Sequence, residues 1–366
     1  MTDRSDSRIP GGAERRKTSG KRRRATTFVA WSAAALVVLG GSGLGYVYLK
    51  LDGNLSGIDI NALLGGDRPA NTDNGSEDIL VLGSDSRSGA NAEYGKDGGG
   101  ARSDTAMIVH VYKGHRTAGV VSIPRDTLID RPECTDSKGA TVPGARLAMF
   151  NTAYEVGGPA CAVKTVETMS GIRMDHYIEV DFTGFKKLVD QLGGVRITTT
   201  RAIDDPKSHL KLAPGTHTLD GEQSLGLVRT RHSVGDGSDL GRIELQQAFI
   251  KALIEQVRSI GVFSSPKKLY DLADTATRAI TPDSQLASVG KLIGFADGLK
   301  NLGAKDIKMI TLPVRYDPAD RNRVLPLRAP SEQVWTALRQ DKPIPASATK
   351  DSAGDQGDAN GVVRGD

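Results

Sequence analysis

Between residues 77 and 341, short apolar runs rich in β-branched residues alternate with longer stretches of helical period. This alternation predicts a single layered α/β domain. Strands are expected at 79–82, 105–112, 117–123, 176–181, 195–199 and 306–313. Helices are expected at 147–156, 160–170, 182–192, 220–228, 240–259, 266–279, 284–301 and 331–340. In the helix from Leu240, residues Ile243, Ile250, Ile254 and Val257 form one stripe, which puts Arg242 and Gln246 on its border.

The two ends depart from this pattern. Phe28–Leu49 is a run of 22 residues without a charge, long enough at 1.5 Å per residue to cross a bilayer. Lys21, Arg22, Arg23 and Arg24 precede it, a charge asymmetry that predicts a cytoplasmic N-terminus and an exported C-terminal bulk. A cleaved signal peptide is the alternative, with Ser42–Gly45 as the small-residue site. The expected organisation is a basic tail at 1–27, an anchor at 28–49, a Gly/Asn/Asp-rich linker at 50–76, the domain at 77–341 and a disordered tail at 342–366.

Composition then removes one class of partner. The formal net charge is +4, but residues 1–24 hold nine basic and three acidic residues, so the rest of the chain sums to −2. The basic balance belongs to the tail, and no nucleic-acid motif or zinc-ligand spacing is present, so no nucleic-acid partner is expected. Cys134 and Cys161 are the only cysteines, both on the expected exported side. A disulfide between them is expected, the alternative being two free thiols.

The candidate chemistry lies in two clusters. Arg229, Arg231, Asp239, Arg242 and Gln246 occupy the run from Leu219 to Gln246, and arginine suits polyanions because its guanidinium stays charged and offers paired donors to phosphate oxygens. Asp239, Arg242 and Gln246 share a helix face by spacing. Arg229 and Arg231 share a side only if their segment is extended. The second cluster comes from strand ends. If 79–82 and 105–112 form a hairpin and 117–123 returns beside them, Asp85, Arg87, Asp104, Arg125 and Asp126 meet at one sheet edge. Two carboxylates beside arginines suit Mg²⁺ bridging to phosphate oxygens. Each residue also has a plainer reading as a turn former or solvated charge.

With these residues in place, the chain from about Glu77 to Leu312 resembles the LytR-CpsA-Psr family of cell-wall glycopolymer transferases. The matching segments are Leu80–Arg87, Arg102–Thr105, Ser122–Asp126, Asn151–Tyr154 with Gly157 and Gly158, and Leu219 through Gln246. The resemblance implies a mixed-sheet α-β-α fold with an apolar channel for a polyprenyl chain. It also implies that Asp85 and Asp104 hold Mg²⁺ on a pyrophosphate, with Arg125, Arg229, Arg231, Arg242 and Gln246 around it. The implied partners are a polyprenyl-pyrophosphate-linked glycan and a peptidoglycan acceptor. The expected activity is phosphoryl transfer between them, with a lipid-pyrophosphate hydrolase or a membrane-tethered envelope regulator as alternatives. Two positions depart from the family: Met149 stands where many relatives carry lysine, and Leu245 where many carry arginine. Arg146 is expected to replace the lysine if it lies one helical turn before Met149.

Overall fold

The computed structural model describes residues 45–84, 103–231, 237–261, 265–354 and 363–364. The chain divides into two units, residues 1–50 and 51–366, and the second carries the fold. No helix among the described residues is long and apolar enough to cross a membrane. Most of the apolar run from Phe28 lies outside them, and residues 45–52 are helical (α1).

The linker region is not uniformly loose. It contains a short helix, α2 (Ile60–Leu64), capped by the Asp59 carboxylate, and Ile60 and Leu64 enter the main core. Arg68 then forks onto Glu167, with Nε 3.0 Å from Oε2, and donates to the Met174 carbonyl at 2.8 Å. Apolar anchors and a buried fork thus hold this segment where composition alone suggested a spacer.

The central sheet is built on β1 (Glu77–Ser84), β2 (Ser103–Val111) and β3 (Ala118–Ile123). β1 pairs antiparallel with β2, and β2 with β3, so the expected hairpin and return strand both form. β8 (His176–Asp181) lies parallel to β1, β13 (Ile280–Pro282) flanks β8, and β14 (Ile307–Thr311) lies parallel to β3. The six-stranded order is therefore β13-β8-β1-β2-β3-β14, a mixed sheet. Leu80, Leu82, Ile108, Val121 and Ile123 line one face by the two-residue period and are buried against Val163 and Val166 of α3 (Asn151–Ser170) and Trp335 of α9 (Arg328–Arg339). On the other face Gln247 of α6 (Asp239–Ser259) donates to Ser122 Oγ at 3.1 Å.

A second, smaller core lies against a three-stranded sheet of β12 (Gly215–Leu219), β9 (Val195–Thr199) and β17 (Val363–Arg364). It joins Val189 of α4 (Phe182–Gln191), Leu227 of α5 (Gly221–Arg229) and Leu245 and Phe249 of α6. Leu245, one of the two positions noted above as departing from the resemblance, is fully buried there. An ionised guanidinium at that position would lose its hydration without a partner.

Several expectations are corrected. The stretch expected to be helical at 147–156 begins instead as a strand, β7 (Ala145–Met149), paired with β4 (Leu128–Arg131). Helical residues then run from Asn151 to Ser170 as α3, in two segments that meet at a kink at Gly158 (φ 65°) before Pro159, so the expected break between 156 and 160 does form. The C-terminal tail is ordered in part. Ile344 and Ala348 are buried in the main core, Ser352 Oγ accepts from Val314 N at 3.0 Å, and Val363 pairs with Thr199 of β9. Few apolar residues suffice there because each fills a prepared site.

Candidate functional site

The sheet register places the chemistry. Gly83 stands opposite Thr105 and Ala106 opposite Ile123, so the end of β1, the start of β2 and the end of β3 share one edge. Asp104 is the second residue of β2. Arg125 and Asp126 follow β3 in a turn closed by Thr127 N and Oγ1, both donating to the Pro124 carbonyl. The Arg125 backbone is clamped on both sides: its N–H donates to Asp239 Oδ2 at 3.3 Å and its carbonyl accepts from Asn151 N at 3.1 Å.

The second cluster arrives from α6. Ser238 caps this helix through its hydroxyl, and Asp239 occupies the first turn, where a carboxylate is favoured by the helix dipole. Arg242, one turn on, sets Nη2 2.5 Å from Asp239 Oδ1 and 2.8 Å from the Asp104 carbonyl. Arg231 comes from the segment after α5. Its backbone N–H is tied to Asp205 Oδ2 at 2.9 Å, and its Nη2 lies 3.4 Å from Asp239 Oδ1. Arg125 Nε is 3.5 Å from Asp126 Oδ2 and 3.8 Å from Asp239 Oδ1, and its Nη1 ion-pairs with Asp104.

The two clusters are therefore one site with Asp239 at its centre. Arg323, which carries no local motif, also joins it, with Nη1 3.9 Å from Asp126 Oδ1. It arrives through the turn between β15 (Val314–Tyr316) and β16 (Val324–Pro326), a long-range placement that no spacing in the sequence signals. Arg323 is shared with Asp320, whose Oδ2 lies 3.9 Å from its Nε, so four guanidiniums and four carboxylates meet around this sheet edge among the described residues.

Burial alone would raise the Asp104 carboxyl, but Arg242 and Arg125 outweigh it and hold the group below the usual carboxylate range. At Asp239 burial prevails over Arg242, Arg231 and Arg125 and pushes the carboxyl up. Arg125 Nε, Arg242 Nε and Asp239 Oδ1 are buried without a hydrogen-bond partner. Two unsatisfied N–H donors on guanidiniums suit the oxygens of an anion.

Other expected members lie elsewhere. Arg229 is exposed at the end of α5, with its guanidinium over the Phe182 ring at 5.1 Å. Because α5 is helical to Arg229 and Thr230 is extended, Arg229 and Arg231 do not lie along one extended strand. Gln246 is buried and donates to the Val228 carbonyl at 3.0 Å, tying α6 to the end of α5. Arg146 is exposed on β7, a strand, so the helical-turn condition for replacing a lysine at Met149 is not met. Asp85 and Arg87 lie outside the described residues. Cys134 and Cys161 form the expected disulfide, which ties the β5–β6 hairpin (Cys134–Thr135, Thr141–Val142) to α3.

Among the described residues no group of three or more His, Cys, Asp or Glu could enclose a metal ion. Asp104 nevertheless fits Mg²⁺, which uses one or two carboxylates and takes its remaining ligands from phosphate and water.

Arginines and aspartates thus gather at the strand ends of a mixed sheet, an arrangement whose donors match the oxygens of an anion. The LytR-CpsA-Psr family model matches residues 47–340, and the chain belongs to that family. It is 32% identical over 356 residues to cell wall biosynthesis protein LcpA of Corynebacterium glutamicum, covering 88% of this chain and 67% of that protein. It is 31% identical over 301 residues to the polyisoprenyl-teichoic acid–peptidoglycan teichoic acid transferase TagT of Bacillus subtilis, covering 79% of this chain and 87% of TagT. The structure of TagT bound to LI-WTA aligns with a TM-score of 0.57 at 26% identity, over 78% of this chain and 98% of that one.

Proposed function

We propose that this protein is a Mg²⁺-dependent phosphotransferase that attaches a glycopolymer from a polyprenyl-pyrophosphate carrier to peptidoglycan. The observation that carries the reading is the convergence of Arg125, Arg231 and Arg242 on Asp239 and Asp104 at one sheet edge. The name of the similar TagT, a teichoic acid transferase acting between a polyisoprenyl carrier and peptidoglycan, supports the choice of substrates.

In this reading a sugar hydroxyl of peptidoglycan attacks the glycan-side phosphorus. The new P–O bond forms as the bond to the lipid phosphate breaks, lipid monophosphate leaves, and the hydroxyl proton passes to a carboxylate of the cluster, Asp104 or Asp239. Asp104, with Asp85, would hold Mg²⁺, which supplies charge neutralisation on the pyrophosphate oxygens. Arg125 and Arg242 present their unsatisfied Nε donors, and Arg231 adds charge from a more open position. Preorganised guanidiniums of this kind stabilise charge developing on the bridging and equatorial oxygens. Asp239 holds the three arginines in register. Phe28–Leu49 would anchor the chain with this domain outside the membrane, as the charge asymmetry suggests.

The test is a transfer assay with the full chain in nanodiscs, a defined lipid-pyrophosphate glycan and peptidoglycan, with Mg²⁺ or EDTA. Mg²⁺-dependent covalent attachment is expected. Lipid release at the same rate without peptidoglycan would make the protein a hydrolase, and loss of neither substrate with donor still bound would defeat the enzyme reading.

A further inference from the structure

The helix α8 (Val289–Leu299) has an unusual exposed side. Leu292, Phe295 and Leu299 are half-buried, and Phe295 meets the His176 ring edge-on at 5.8 Å. The opposite side carries Gly290, Ile293 and Ala296, with Ile293 63% exposed. Its one acidic residue, Asp297, is paired with Lys300 at 2.9 Å. A surface helix ordinarily turns its polar residues outward, and here an isoleucine stands outward at the middle of a face otherwise made of small residues.

The chain's path indicates which cover. Asp52 Oδ1 accepts the backbone N–H of Val289, the first residue of α8, at 3.0 Å. Asn54 holds the neighbouring helix α7 (Pro266–Ala279) by donating to Asp274 and Thr277. Leu49, the last residue of the uncharged run, is three residues before Asp52, a span of at most about 10 Å. Ile293 lies four residues into α8, about 6 Å further along the helix axis. The interfacial layer of a bilayer is itself roughly 5–7 Å deep on each side. Lys291, two residues from Ile293, points away from this face, whereas Asp297, one turn on, shares it together with its partner Lys300.

We propose that α8 docks on the outer surface of the bilayer, with Ile293 and Ala296 in the interface and the Asp297–Lys300 pair at the level of the headgroups. This rests on the anchored orientation proposed above. His176, beside α8, begins β8, whereas the arginine cluster gathers at the other ends of the strands. Docking therefore fixes the height above the membrane to which a lipid-linked pyrophosphate must be raised.

The experiment uses the full chain in nanodiscs of mixed phosphatidylglycerol and phosphatidylcholine. Both native cysteines are in the disulfide, so one introduced thiol can carry an environment-sensitive fluorophore. Ile293→Cys, with Ala296→Cys as a second position should the first fail to fold, is expected to lose most of its fluorescence to headgroup-depth spin-labelled lipid. Ala319→Cys, in the turn leading to Arg323, is expected to keep it. Ala35→Cys reads the anchor separately with mid-bilayer quencher. A quenched 35 with unquenched 293 and 296 would overturn docking while leaving the anchor. An unquenched 35 would overturn both. Labels at 293 and 296 shielded from water yet not quenched by lipid would assign the face to a second copy of the chain and equally overturn the proposal.

Discussion

Asp239 and Arg242, one turn apart at the start of α6, form an ion pair at 2.5 Å in which both side chains are less than a tenth exposed. The same carboxylate meets Arg125 and Arg231, so this pair is the hub through which the two halves of the candidate site are joined.

Breaking such a pair strands a buried charge. Asp239→Ala and Arg242→Ala are each expected to lose about 3–5 kcal/mol of stability as well as activity. Urea unfolding of the two variants checks this. A loss of activity with unchanged unfolding midpoint would show that the pair serves substrate alone.

Arg231 and Arg229 are two residues apart but differently placed. Arg231→Ala is expected to lower transfer by about 10²–10³-fold, as loss of a preorganised charge-stabilising contact does. Arg229→Ala, which removes a guanidinium stacked on Phe182 away from the cluster, is expected to cost far less. Parallel kcat measurements distinguish them, and equal losses would contradict the placement of Arg229.

His110 is fully buried, with Nδ1 2.8 Å from Asp78 Oδ1 and Nε2 3.2 Å from Asp341 Oδ1. Burial disfavours its charged form, yet the two carboxylates outweigh burial and raise its pKa, with the Tyr112 ring edge-on and Asp175 near Asp78. A group raised on folding contributes stability in full below its unfolded pKa, near 6.5, and loses it as pH rises through the folded value. Thermal unfolding is therefore expected to show stability falling as pH rises from about 6.5 through the raised folded value, and His110→Gln to remove this component of the slope.

The Cys134–Cys161 bridge closes a loop with a sequence separation of 27. The paired serine variant is expected to lose about 3 kcal/mol on the chain-entropy model. Since α3 also delivers Asn151 to the Arg125 carbonyl, activity should fall at temperatures where the native chain is still fully active.

The strand runs were legible because a two-residue period bounded by Gly, Pro and charged residues is a local property. The hairpin of β1 and β2 and the return of β3 followed from it, and with them the meeting of Asp104 and Arg125. The β4–β7 ribbon was not legible. Residues 147–156 hold enough helix-forming residues to read as helix, and only pairing with Leu128–Arg131 makes 145–149 extended. The tail beyond Lys342 likewise looked too polar to fold, because isolated apolar residues such as Ile344 and Val363 have value only where a partner surface awaits them.

By itself the sequence indicated the α/β class and the hairpin and return strand that bring Asp104, Arg125 and Asp126 to one edge, since residue type fixes charge and local period fixes which edge a strand ends on. Tertiary structure decided that Asp239 is the hub, that Arg323 belongs to the site and that Arg229 and Gln246 do not contact its charged centre. Those outcomes depend on how loops distant in sequence close on one another, and no local spacing records the angle at which two packed elements meet.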